Sequence, residues 1–332
     1  MASTNGETYM LQRNLDESQR LDAQHEYMRQ MSYGHLLHPS IPLHQLHAVA
    51  DVATGTGRWL QQLAHHPALP PPRSHQQPTF IGFDISDQQF PPPDASSPRL
   101  AFELHDMLEP FPTEHHEKFD LVNVRLVSYA IKGADLDRVV RNVIQLLRPG
   151  GYLQWQEADA SDSWAHPETS AGSSCIDYVI AEKVDRGLLP CIAGPLVKTI
   201  LSVPVTVPDG QHNIVSWSRD LMRLVHLETV STYNHPSPAV AAGKKAAIMS
   251  AATALLKARL HRKSTELQDS LESDPGVGKL EDEVRAMETT LRAVERWDEE
   301  SSWDFDLTWI VARKAIVQDT GKGWMPVRRP SP

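Results

Sequence analysis

An α/β fold built on a mostly parallel sheet is the class predicted for this 332-residue chain, and three features predict it. Short apolar runs of strand length recur through residues 49 to 157, stretches with helical spacing separate some of them, and glycine or proline stops close the units in order. The first of these runs, VADVATGTG at 49 to 57, ends in an acid and turns at once into small residues. Glycines there let the backbone turn tightly and approach a ligand that a side chain would hold off.

The elements follow along the chain. A helix begins near Asp16 and places Leu21, His25 and Met28 on one face. After the strand ending at Val52, RWLQQLAHH carries helical apolar spacing, and TFIGFDIS at 79 to 86 reads as a second strand ending in Asp84. LAFELHDMLEPFP gives a third strand that stops near Asp106, and FDLVNVRLV at 119 to 127 a fourth. LDRVVRNVIQLL is amphipathic, and RPGGYLQWQE supplies a helix stop and a fifth strand. The Pro-rich stretches 64 to 79 and 90 to 98 read as surface loops. Beyond the fifth strand the chain predicts a helical insertion at 170 to 202, a sixth strand within 222 to 233, helices at 239 to 267 and 279 to 300, and a last strand, WDFDLTWIVARKA, as an edge partner.

Composition narrows the partners. With 32 basic and 42 acidic residues the net charge is −10, and no dense Lys/Arg stripe precedes the tail, so a nucleic-acid substrate is not expected and a small molecule fits better. Two cysteines are too few for a disulfide framework, the first residues carry no apolar signal core, and no run approaches the length of a membrane span. Cytoplasmic residence is the expectation, with a homodimer left open. The paired histidines at 65 and 115 fall in polar loops, and no Cys-rich cluster accompanies them, so no metal is expected.

DVATGTG, GFDIS, HDMLEPFP, FDLVNVRLV and LLRPGGYLQWQEAD, in this order, resemble the successive motifs of class I S-adenosylmethionine-dependent methyltransferases. ESQRLDAQHEYM, LLHPSIP and LQWQEAD further resemble the fungal enzymes that methylate secondary metabolites, including the gliotoxin-type N-methyltransferases. The likeness covers about residues 15 to 160; Ala53 departs from it, standing where the pattern usually has glycine. It implies a Rossmann-like, seven-stranded, mostly parallel sheet with helices on both faces. The expected organisation is an N-terminal helical lid at 1–45, a cofactor-binding core at 46–160, substrate-cap insertions at 161–300, a last strand at 301–316 and a flexible tail at 317–332.

The implied cofactor is S-adenosylmethionine. Asp84 is expected to accept the ribose diol, because two carboxylate oxygens match two neighbouring hydroxyls; a helix N-cap with Ser86 is the alternative. Ile85 would pack on the adenine, Asp106 accept its amino group and the Met107 backbone meet a ring nitrogen, unless Asp106 merely closes a turn. Asp51 would orient the glycine loop or the amino-acid end, or only cap amides, with Ala53, Gly55 and Gly57 lining the methionine moiety. Asn123, Val124 and Arg125 would lie beside the sulfonium, although Arg125 also fits a structural ion pair.

A sulfonium methyl is already electrophilic, so alignment in a site closed to water can supply much of the acceleration and a base is optional. The candidate catalytic residues are His25, Glu157 and Arg125, and the candidate pocket residues Tyr33, His38 and Trp155. A hydrogen-bonded core histidine, a surface glutamate and a packed tryptophan are the competing readings. The reaction expected is methyl transfer to oxygen or nitrogen of a small secondary metabolite. The alternatives are a cofactor-assisted cyclisation without transfer and a regulatory methyltransferase-like protein. NVRL lacks the Asn-Pro-Pro-aromatic pattern used on planar amino groups. A nicotinamide reductase is disfavoured by the absence of GxGxxG and of a Tyr-x-x-x-Lys pair.

Overall fold

The computed structural model describes residues 15–71, 79–92, 99–158, 163–166, 170–202, 225–233, 238–270, 277–296, 302–319 and 324–326. In chain order come α1 (Leu15–Met31), β1 (Val49–Val52), α2 (Arg58–Ala64), β2 (Phe80–Asp84), β3 (Leu100–Leu104), β4 (Phe119–Arg125), α3 (Leu136–Leu146) and β5 (Leu147–Glu157). There follow β6 (Ser163–His166), α4 (Ala171–Asp185), α5 (Ala193–Ser202), β7 (Val225–Tyr233), α6 (Pro238–Ser270) and α7 (Val277–Glu295). The chain closes with β8 (Ser302–Phe305), β9 (Leu307–Lys314), β10 (Val317–Asp319) and β11 (Trp324–Pro326).

Seven strands form the main sheet in the order β3-β2-β1-β4-β5-β9-β7. The first five are parallel, and β9 runs antiparallel to both its neighbours. Strand order reverses between β1 and β4, so a crevice opens beyond the carboxyl ends of these strands, where Asp51, Asp84 and Arg125 fall. One sheet face packs on α3 and α5 through Val139, Val143, Leu196 and Ile200, all buried. The other face takes α2 through Trp59, Leu60 and Leu63, together with Leu37, Ile41 and Leu46 from the segment after α1.

The expected edge position of the last strand is corrected. β9 is interior, with seven of its eight residues buried, whereas β7 alternates between buried or half-buried and exposed and forms the edge. A strand covered on both faces reads as a continuous apolar run, and one with a solvated side alternates, so LTWIVARK has the composition of the former. Two small two-stranded antiparallel sheets are not among the expected elements. β6 pairs β8 within the cap region, and β10 pairs β11 inside the segment expected to be a flexible tail.

The cap has its own core, in which Ile176 and Val179 of α4, Leu255 and Leu256 of α6 and Met287 of α7 interlock. A buried ion network clamps its rim. Glu182, fully buried, accepts Arg186 Nε at 2.6 Å, Arg259 Nη1 at 3.0 Å and Arg262 Nη2 at 2.6 Å, and Arg259 also reaches Asp185 and Glu283. Removing either of its buried members, Glu182 or Arg259, leaves the other buried and uncompensated, which ties α4 to α6, while the half-buried Glu283 extends the network to α7.

Candidate active site

Three residues of α1 hold the glycine turn and the helix that follows it. Thr56 Oγ1 donates to Asp22 Oδ1 at 2.7 Å, Leu21 Cδ1 lies 3.5 Å from where a Cβ on Gly55 would stand, and His25 Nε2 meets Gln62 Oε1 of α2 at 2.9 Å. The lid helix therefore closes over the crevice and leaves a cavity of about 340 Å³ beneath it. Ala53, Gly55, Asp84, Ile85, Asp106 and Met107 line one end.

At that end Asp84 Oδ2 accepts the Gly55 amide at 2.8 Å, and its Oδ1 accepts the Ser86 amide at 3.2 Å. Asp84 thus closes its own turn from a position that lines the cavity, and among the described residues no helix starts behind it to be capped. Ile85 is 51 % exposed although large and apolar, and its surface lines the cavity. Asp106 Oδ1 likewise accepts the Leu108 amide at 2.9 Å, a turn bond made from a cavity-lining position. Ala53 and Gly55 both have left-handed backbone, with φ of +58° and +56°. The pattern's usual glycine at position 53 is thus replaced by a residue that bears the strain.

Four expected cofactor residues do not line the cavity. Gly57, with φ +69°, precedes α2, and a Cβ there would stand 2.4 Å from Phe102 Cε1, so it serves close packing. Val124 is fully buried in the sheet core. Asp51 and Asn123 belong to a buried ladder across three strands. Thr54 Oγ1 donates to Asp51 Oδ2 at 2.6 Å, Asn123 Nδ2 to Asp51 Oδ1 at 2.8 Å, and Gln154 Nε2 to Asn123 Oδ1 at 2.9 Å. These residues sit in register on β1, β4 and β5, so the ladder braces the turn from behind. Burial pushes the Asp51 carboxyl up, against the opposing pull of the Arg125 charge.

The substrate and catalytic expectations are corrected more heavily. Trp155 is fully buried in the sheet core and donates its indole N–H to Glu157 Oε1 at 2.8 Å. Glu157 is 1 % exposed rather than on the surface, and it accepts the Val127 and Ser128 amides at 3.1 and 3.3 Å, which fixes the loop after β4. Tyr33 is 60 % exposed in the turn after α1, where its backbone is left-handed with φ of +56°. His38 lines a separate groove and bonds Ser40 and Ser231. None of these four lines the cavity.

His25 and Arg125 do line it, and they face each other. Arg125 Nη1 donates to His25 Nδ1 at 3.1 Å, and His25 Nε2 donates to Gln62, so both imidazole nitrogens are engaged. Burial and the Arg125 charge push the His25 pKa down to about 4, which keeps the ring neutral at physiological pH. A base role would require breaking the bond to Arg125.

Sequence reasoning missed the other end of the cavity. Tyr27, Leu126, Tyr129, Val179, Leu255 and Phe305 line it from α1, the loop after β4, α4, α6 and β8. Tyr129, two residues past the fourth apolar run, was within reach of the strand-end rule. The cap residues carry no signal beyond amphipathic helices. Among the described residues no group of three or more His, Cys, Asp or Glu is arranged to hold a metal, and no helix is long and apolar enough to cross a membrane.

A profile of the methyltransferase domain family matches residues 24–220, more than half of the chain and all of the sheet strands that build the cavity's acidic end. The chain belongs to the methyltransferase domain family. Among relatives of this methyltransferase domain, methyltransferase grgD of a Penicillium species is 38 % identical over 164 residues, covering 49 % of this chain and 56 % of the relative. N-methyltransferase verN of Clonostachys rogersoniana is 30 % identical over 162 residues, covering 48 % and 54 %. N-methyltransferase gliN of Aspergillus fumigatus is 29 % identical over 157 residues, covering 47 % and 51 %. The matches of this methyltransferase domain thus span about half the length of these relatives.

Proposed function

We propose that the chain binds S-adenosylmethionine across the glycine turn and transfers its methyl group to oxygen or nitrogen of a small, largely apolar secondary metabolite. The observation that carries this reading is the division of one cavity into two chemically different ends. Asp84, Asp106 and the exposed face of Ile85 surround the glycine turn at one end, and aromatic and aliphatic side chains of the lid and cap form the other.

The residues at the acidic end fit the nucleotide. Asp84 places a carboxylate, the group that suits vicinal hydroxyls, on the cavity wall, Ile85 offers an uncovered apolar face of the kind a flat base takes, and Gly55 leaves the turn open. When bound, the cofactor supplies an electrophilic methyl on a sulfonium, whose departure leaves a neutral thioether. The chain's part is to bind, orient and exclude water. α1 covers the turn, and Glu157 holds the Val127–Ser128 backbone that walls the space between the two ends.

The acceptor's class follows from the second end. Its described lining includes no acid, the hydroxyl oxygens of Tyr27 and Ser128 are buried, and the cavity's His25 is neutral and doubly bonded. A charged acceptor would lose hydration there without a counter-charge. An acceptor that brings its own nucleophile, an amine or amide nitrogen or an acidic hydroxyl, suits it best. The fungal relatives, two of them N-methyltransferases, support the same reading. Cytoplasmic residence belongs to it too, supported by two free cysteines, Cys175 being buried in the cap core.

The test is incubation with S-adenosylmethionine and a metabolite extract of the source organism, followed by mass spectrometry. Formation of S-adenosylhomocysteine with a metabolite gaining one CH₂ is expected. Cofactor binding without any S-adenosylhomocysteine would favour the non-methylating alternative instead.

A further inference from the structure

Two neighbours on α4 brace two walls of the cavity's apolar end. Glu182 and Lys183 are both fully buried. Glu182 holds Arg259 of α6 at 3.0 Å, which fixes how α6 is turned towards α4. Lys183 sets its ammonium 4.3 Å from the ring centroid of Tyr129, in the loop after β4, and that ring packs on the cap core while lining the cavity. A cation over an aromatic face is attracted to it, so the ring is held in place. The spacing between Tyr129 and α6 is therefore built into one turn of α4.

Ala251, Ala252 and Leu255 are the α6 residues that line this end among the described residues. Ala252 and Leu255 are buried members of the cap core. Ala251 differs from both. It is half-buried, belongs to none of the hydrophobic clusters, and stands one helical turn before Leu255 on the same face. An apolar side chain that lines a cavity without packing into a core leaves its surface for an occupant, as Ile85 does at the opposite end. No polar side chain accompanies these three on α6, so whatever part of an acceptor reaches them is favoured when it is hydrocarbon.

We propose, on the reading that this cavity methylates a small metabolite, that Ala251 sets the length of acceptor the chain takes, and that the acceptor carries a hydrocarbon portion, remote from its nucleophile, that ends against Ala251. A hydrophobic wall discriminates by the methylenes it admits, and one set back to a single methyl group takes what a larger side chain would exclude. Arg259 and Glu182 keep that wall where it is.

The full chain and its Ala251→Phe, Ala251→Leu and Ala251→Gly variants are given S-adenosylmethionine and graded amounts of a metabolite extract of the source organism. Mass spectrometry follows the methylated products, and calorimetry without extract reads cofactor affinity. Ala251→Phe should raise the amount of extract needed for half-maximal formation of the wild-type product by at least about tenfold, with cofactor affinity within about twofold. Ala251→Leu should raise it by about threefold or more, and it carries the test alone if Ala251→Phe does not fold. Ala251→Gly should form that product as readily as wild type and add heavier ones. Unchanged extract dependence in the enlarged variants, cofactor affinity lost in step with methylation, or a wild-type product without a hydrocarbon portion would overturn the assignment while leaving methyl transfer in place. A wild-type chain that forms no S-adenosylhomocysteine would overturn the methyl-transfer reading itself, and this assignment with it.

Discussion

Gly55 donates its backbone N–H to Asp84 Oδ2 at 2.8 Å, so the acid that ends β2 closes the turn that follows β1. Ligand recognition and loop geometry therefore reside in one carboxylate. Asp84→Ala is expected to lower S-adenosylmethionine affinity by roughly two orders of magnitude, because it removes charge-assisted bonds and loosens the turn together. Asp84→Asn keeps an acceptor for Gly55 and should lose less. Calorimetry on the two variants separates the contributions, and an Asp84→Ala affinity within about threefold of wild type would remove the ribose assignment.

His25 has a folded pKa of about 4, below its ordinary 6.5. As pH falls, the unfolded chain binds the proton first. Stability is thus complete above pH 6.5 and declines between 6.5 and about 4, by roughly 3 kcal/mol if fully expressed. Urea unfolding of wild type and His25→Gln at pH 7, 5.5 and 4.5 should show the wild type losing more over this window. Parallel curves for the two proteins would contradict the buried neutral imidazole.

Glu157 accepts three hydrogen bonds, from Val127, Ser128 and Trp155, in full burial. Glu157→Ala should cost about 2–4 kcal/mol in unfolding free energy, since buried donors are left without partners. The loosened loop borders the acceptor end, so acceptor KM should rise well before cofactor affinity changes. Equal losses in both would place the effect elsewhere.

Positions 53 and 57 make a matched pair. Ala53→Gly relieves a left-handed φ of +58° and should raise stability by up to about 1 kcal/mol with cofactor affinity unchanged. Gly57→Ala adds a Cβ 2.4 Å from Phe102 Cε1 at φ +69° and should destabilise by more than about 1 kcal/mol. Thermal unfolding reads both, and a stabilised Gly57→Ala would contradict the packing described here.

The parallel half of the sheet was legible because each strand ends where its apolar run meets an acid, a glycine or an arginine, as at Asp51, Asp84 and Arg125. The same rule located Asp84, Ile85, Asp106 and Met107 at the cavity. It could not say which strand-end side chains point inward. Asn123 and Trp155 share those ends yet are consumed by a polar ladder and by Glu157. His25 was placed at the site by helical spacing, but its neutrality depends on Arg125, one hundred positions away in sequence. The cap's contribution rests on contacts between distant helices, and periodicity fixes a helix's apolar face without naming its partner.

The position of β9 bears on biosynthesis. It fills the gap between β5 and β7 and buries Lys314, whose ammonium donates to the Leu147 carbonyl at 2.7 Å. A ribosome must therefore release more than three hundred residues before this sheet can zip shut, and until then the nascent chain carries two unpaired β edges. Premature stop codons upstream of Leu307 should accordingly yield insoluble, chaperone-bound product rather than a shortened enzyme.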